Sequence, residues 1–216
     1  SRYYIDEKIM EILDSPYRTF NPLSRTRSGY GHYLPNIEKV LKVGFGGIRK
    51  EAEAYLEKLD LMDPELTEKK NFYRSVVILC DGIRVFQNRF AELAEHMAEA
   101  EKDGRRKKEL LLIAANCRKV PFEPADTFYE ALQSYWFSIL IDYCGQNGSA
   151  ISGGRVDQIF YPYYRRDLDS GVLVKEEARE LLEALWVKHS DIIKAGTYSS
   201  ARNNGGFATT VNFVLG

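Results

Sequence analysis

From Asn36 to about Lys194 the apolar residues recur at three- and four-residue intervals, and this periodicity commits most of the chain to α-helix. Ile37, Val40, Leu41, Ile48, Ala52, Tyr55 and Leu56 share one face of a helix expected from Asn36 to about Leu59. Gly44, Gly46 and Gly47 lie inside it. Each disfavours helix by up to about 1 kcal/mol relative to Ala, so together they predict close packing or a break. Asp63-Pro64 has the order of an N-cap followed by the first helical residue, and predicts a second helix to about Lys102 with a kink near Gly82. A third helix, about 105–119, stops before Pro121. Thr127 and Glu130 have the spacing of a capping box and open a fourth that ends near Tyr143, where Gly145 and Gly148 bracket a turn. Arg155–Arg166 and Glu176–Lys194 read as two more, split by the Asp169-Ser170-Gly171 turn. Residues 1–35 read as an irregular segment, and one late stretch, Ala208–Leu215, has the β-branched enrichment of a strand. A lone strand at the end of a helical chain reads as an incomplete structure.

Charge and hydropathy then exclude several classes. The 30 basic and 31 acidic side chains leave a net charge of -1, which argues against nucleic acid or an anionic membrane as partner. No apolar run approaches the roughly 18–20 residues needed to span a bilayer. The first residues lack the apolar core of a secretory signal, and a cytoplasmic protein is expected. The absence of a starting Met points to a processed chain or a fragment. Cys80, Cys117 and Cys144 form no C-x-x-C pair, so neither a metal site nor a disulfide framework is expected; the thiols read as reduced and mostly buried.

Two segments are long and compositionally unusual. The first runs Asn-Cys-Arg-Lys-Val-Pro over 116–121, then Pro-Ala-Asp-Thr-Phe-Tyr-Glu-Ala-Leu-Gln-Ser-Tyr-Trp-Phe over 124–137. The second runs Asn-Gly-Ser-Ala-Ile-Ser-Gly-Gly-Arg-Val-Asp-Gln over 147–158, followed by Tyr-Pro-Tyr-Tyr at 161–164. With the weaker Gly-His-Tyr-Leu-Pro-Asn run from Gly31, they resemble the signatures of the pyruvate formate-lyase domain of glycyl radical enzymes, in order and spacing over about 30–216. The resemblance implies an α/β parent, a ten-stranded barrel wrapped by helices, of which this chain is an α-rich N-terminal fragment with few strands. It implies a small organic substrate and no bound cofactor or metal. The glycyl radical would lie outside this chain and be generated by a separate radical S-adenosylmethionine activating enzyme, and the parent would be a homodimer. No Gly-Cys-Val-Glu-like loop and no glycyl motif is present, so the catalytic radical residues are expected beyond Gly216 and this chain alone would not catalyse. The subgroup, whether diol dehydratase-like, choline lyase-like or arylacetate decarboxylase-like, stays open.

Individual residues carry two readings each. His32 sits in a Gly-flanked loop before a helix, where side chains commonly enter sites; in diol dehydratases of the family a histidine in a similar segment binds a substrate hydroxyl, and an ordinary loop histidine is the alternative. Asn147, Ser149 and Ser152 are candidates for the wall of a substrate pocket. Ser149 and Ala150 occupy the turn where those dehydratases carry a His-Ser pair, which counts against glycerol or propanediol as substrate and favours a partly apolar one. Arg155, Asp157 and Gln158 belong to the structural motif; Arg155 and Asp157 read as a structural ion pair or as a clamp on a substrate carboxylate. The Tyr161–Tyr164 cluster reads as core with outward hydroxyls, or as the lining of an aromatic pocket. His96 and His189 read as solvated helix residues, His189 favoured by the helix dipole. The expected function is a fragment of a glycyl radical lyase, dehydratase, decarboxylase or formate acetyltransferase. It would contribute barrel-wrapping helices and part of the substrate pocket. A non-catalytic helical scaffold or interaction domain is the alternative, and an acid–base lyase using His32 is a third.

Overall fold

The computed structural model describes residues 31–146, 150–192 and 213–216. Among the described residues six helices run in chain order: α1 (Ile37–Glu57), α2 (Leu66–Ala100), α3 (Gly104–Lys119), α4 (Phe128–Gln146), α5 (Val156–Asp169) and α6 (Lys175–Ser190). The periodicity places all six, with α4 running three residues past its expected end. Two compact units divide the chain. One comprises the segments up to Pro35, Ile139–Asp157 and Glu183–Gly216; the other comprises Asn36–Ser138 and Gln158–Leu182.

Helix ends in the larger unit follow local chemistry. Asn36 Oδ1 accepts from the Lys39 N–H at 3.1 Å and starts α1. The box at α4 is realised: Thr127 Oγ1 accepts from the Glu130 N–H at 3.2 Å, and Glu130 Oε2 accepts from the Thr127 N–H at 3.3 Å. The start of α2 differs from expectation. Asp63 Oδ1 accepts from the Glu65 N–H at 2.8 Å and its carbonyl from the Leu66 N–H, so Asp63-Pro64 forms a turn and the helix begins at Leu66.

The expected kink at Gly82 is absent, and α2 is unbroken over 35 residues. The break expected among the glycines of α1 falls at Gly44, whose φ of 66° is left-handed. It frees main-chain groups that a helix would have consumed. The Phe45 N–H donates to the Pro121 carbonyl at 2.9 Å and the Gly46 N–H to Phe122 at 2.7 Å, while the Leu41 carbonyl accepts from Ala125. A Cβ at Gly44 would fall on the Phe122 carbonyl oxygen. Gln87, only 1% exposed, secures the same corner from α2: its Nε2 donates to the Arg118 carbonyl and its Oε1 accepts from the Phe122 N–H.

The core of this unit is aromatic. Phe86, Phe90 and Phe137 meet with centroids 4.9–5.5 Å apart, and Phe160 packs edge-on against Phe128 and Tyr135. The tyrosine cluster divides: Phe160 is buried, Tyr163 and Tyr164 are half-buried and Tyr161 is exposed. Asp167, also buried, accepts from the Phe128 N–H at 2.6 Å and so caps α4 from 39 residues away.

The smaller unit contains no β-strand among its described residues. One parallel bridge joins Gly154 to Phe213, and the Val214 N–H donates to the Gly154 carbonyl at 3.1 Å. The expected strand at Ala208–Leu215 lies mostly outside the described residues. Gly154 has φ 73°, and a Cβ there would reach within 2.7 Å of Leu34 Cδ1, so this crossing requires glycine. His189 corrects an expectation. It is 7% exposed rather than solvated, packed edge-on against Phe213 with centroids 4.8 Å apart and beside Trp186, which stacks on the same ring. Burial pushes its imidazole down to about 4. His96 is exposed beside Glu99.

Cys80 and Cys117 are buried and Cys144 is exposed. Burial raises both buried thiols to about 11. Among the described residues, no helix is long and apolar enough to cross a membrane.

Candidate functional site

The smaller unit brings residues 31–35 and 150–155 together at the later turns of α4. Both loops carry backbone that ordinary side chains rarely adopt. His32 has φ 59° and Ala150 has φ 57°, the two non-glycine residues with left-handed backbone among those described. Each such residue costs on the order of 1–3 kcal/mol and persists only where its surroundings hold it.

The holding contacts are visible. The Tyr33 carbonyl accepts from the Ser152 N–H at 3.1 Å, joining the loops directly. The Tyr33 hydroxyl donates to Asp142 Oδ1 on α4 at 2.5 Å. The next residue of α4, Tyr143, accepts at its hydroxyl oxygen from the Ile151 N–H at 3.4 Å. Two adjacent residues of one helix therefore hold the two loops, and the loops hold each other. Burial pushes the Tyr143 phenol up, with the Ile151 N–H acting in the opposite sense.

His32 is exposed and Ser152 half-buried, on loops joined one residue away from His32. Asn147 and Ser149 lie outside the described residues. Arg155 Nε and Nη2 donate to the two oxygens of Asp157 at 3.1 and 3.0 Å, and Nη2 also donates to the Gly216 carbonyl at 2.6 Å. Its bond to Asp157 raises the guanidinium further from neutrality. Gln158 is exposed in the first turn of α5. Sequence reasoning missed Tyr33, Asp142 and Tyr143. Tyr33 stands beside the flagged His32, but no local pattern pairs it with Asp142.

An imidazole and a hydroxyl on two joined loops can hydrogen-bond the oxygens of a small organic molecule. No group of three or more His, Cys, Asp or Glu side chains gathers as a metal site among the described residues.

A helix-rich chain with this pair of strained, mutually tied loops matches the model of the pyruvate formate lyase-like proteins over residues 2–216. The chain belongs to that family, the family of the glycyl radical enzymes. It is 43% identical over 169 residues to the isethionate sulfite-lyase of Oleidesulfovibrio alaskensis, covering 77% of this chain and 20% of that protein. With the (2S)-3-sulfopropanediol dehydratase of Klebsiella oxytoca it shares 36% identity over 183 residues, 83% of this chain and 22% of the relative. Among solved structures, the glycerol-bound, B12-independent glycerol dehydratase of Clostridium butyricum superposes with a TM-score of 0.83 at 36% identity, over 94% of this chain and 27% of the other. The chain thus spans about a fifth of the length of the curated relatives it matches.

Proposed function

We propose that the enzyme to which this portion belongs is a glycyl radical lyase or dehydratase. It would eliminate a group from a small hydroxyl-bearing organic molecule, with His32 and Ser152 binding that molecule. The carrying observation is the pair of left-handed residues, His32 and Ala150, on loops bonded through the Tyr33 carbonyl and the Ser152 N–H. Strain of this kind collects where a site needs a fixed geometry. Two relatives, an isethionate sulfite-lyase and a (2S)-3-sulfopropanediol dehydratase, support the same class.

Within this reading, His32 and Ser152 orient the substrate, and an oriented substrate is what the elimination needs. A small polar side chain beside an alanine methyl leaves a polyol with an unpaired hydroxyl, so a partly apolar substrate fits better than glycerol. Asn147 and Ser149 belong to the same proposed wall. The organic glycyl radical supplies hydrogen-atom abstraction. It is placed outside these 216 residues, and no step of it falls to this chain. The parent's barrel, its homodimer and its radical S-adenosylmethionine activating partner belong to the same proposal. The parallel bridge between Gly154 and Phe213 supports the barrel, since parallel pairing is how such a sheet begins. Exposed apolar side chains along one side of α2, Phe72 at 62%, Leu79 at 56% and Leu93 at 56%, favour a covered face in a larger body over a self-contained scaffold.

The test is anaerobic activation of the full-length enzyme, followed by assay of elimination from isethionate, sulfopropanediol, hydroxyproline, propanediol and glycerol. Turnover of one of the first three, lost by roughly tenfold or more in His32→Ala, is expected. An activated enzyme that eliminates from none of them, or a His32→Ala variant with full turnover, would overturn the proposal.

A further inference from the structure

The residue that fixes His32 is its neighbour. Tyr33 is held at two points on different parts of the residue: its carbonyl by the Ser152 N–H at 3.1 Å, and its hydroxyl by Asp142 Oδ1 at 2.5 Å. A residue held only at its carbonyl can pivot about that bond. A residue held also at the far end of its side chain cannot turn without breaking one contact. The Tyr33 Cα and the peptide joining residues 33 and 34 are then fixed, and they hold the chain immediately after His32, whose φ is 59°. Asp142 is itself built into α4, next to the Tyr143 that receives the Ile151 N–H of the opposite loop. The carboxylate is thus anchored on a regular element, and charge-assisted bonds of this type are stronger than neutral ones.

We propose that Tyr33 is a positioning residue, which sets the His32 imidazole relative to Ser152 through its paired bonds to Asp142 and the Ser152 main chain. This rests on the proposed placement of His32 against the substrate. Without the hydroxyl contact, the strained backbone at His32 relaxes toward an ordinary conformation and carries the imidazole away from its station. Tyr33 does not touch the reacting atoms; it acts through its neighbour.

The experiment uses the activated full-length enzyme and a four-member cycle: wild type, Tyr33→Phe, His32→Ala and the double variant. Tyr33→Phe keeps the ring and the carbonyl bond but removes the donor to Asp142. It is expected to lower kcat/KM by about tenfold. In the His32→Ala background the same change is expected to cost no further activity, because the group it positions is gone. A merely structural tyrosine would reduce activity equally in both backgrounds. Equal losses in the two, or full kcat/KM in Tyr33→Phe, overturn the inference. A fully active His32→Ala enzyme overturns the substrate role of His32 itself, which is a different result. Should Tyr33→Phe fail to fold, Asp142 carries the same test. The amide oxygen of Asp142→Asn still accepts from Tyr33, whereas Asp142→Leu offers no acceptor. Only the leucine variant should show the tenfold loss and its dependence on His32; equal losses in both overturn the proposal.

Discussion

The Tyr33 hydroxyl donates to Asp142 Oδ1 at 2.5 Å across 109 residues of sequence. Through that bond the run before α1 is attached to the later turns of α4, next to His32 with its left-handed φ of 59°.

Gly44 and Gly82 make opposite predictions from the same substitution. Gly44→Ala places a methyl on the Phe122 carbonyl at a left-handed φ, and should destabilise the enzyme by more than about 2 kcal/mol or abolish soluble expression. Gly82 is exposed within α2 with nothing near its missing Cβ, so Gly82→Ala should stabilise by about 0.5–1 kcal/mol. Urea unfolding of both variants gives the comparison.

Asp167 offers a test of capping at a distance. Asp167→Ala leaves the buried Phe128 N–H without its acceptor and should cost about 1–3 kcal/mol. Asp167→Asn retains an oxygen and should cost less. Equal unfolding midpoints for wild type and the alanine variant would show that this bond contributes nothing.

His189 predicts an acid-sensitive fold. Its pKa is lowered from 6.5 to about 4 by burial, so between these values the unfolded chain binds the proton more readily than the folded one. Stability should therefore fall as pH drops from about 6.5 toward 4, by on the order of 3 kcal/mol at most, and show no such slope above 7. If the imidazole is responsible, the unfolding midpoint of wild type should fall relative to that of His189→Leu as pH drops across this range.

The thiols should separate by exposure. Brief alkylation of the folded protein at pH 8, followed by peptide mass mapping, should label Cys144 first. Cys80 and Cys117 should stay protected, being buried and held in the thiol form well above that pH.

Helices and local caps were legible because their causes lie within a few residues. The apolar spacing of Ile37, Val40 and Leu41 and the Thr127–Glu130 box each specify structure by neighbours alone. Apart from the turn at Asp63, what sequence reasoning misplaced depends on distant partners. Gly44 and Gly82 look alike until the corner at Phe122 makes one of them indispensable. His189 sits in the last turn of α6, where the dipole favours a charged imidazole, yet Phe213 covers it from outside the helix. The candidate site divides in the same way: its loops at His32 and Ser152 drew attention by their composition, while Asp142 and Tyr143, which hold those loops, lay unremarked in a helical pattern.

The two loops owe their course to main-chain groups. Ser152 and Ile151 contribute their N–H, Gly154 its carbonyl, and Tyr33 its carbonyl together with one hydroxyl. The imidazole of His32, the methyl of Ala150 and the hydroxyl of Ser152 are absent from that set. A scaffold held in this manner separates shape from chemistry. On the proposed reading, the side chain at 152, and at 32 and 150 those that tolerate left-handed backbone, can change while the backbone keeps its path, so new substrates become accessible without the fold being solved again.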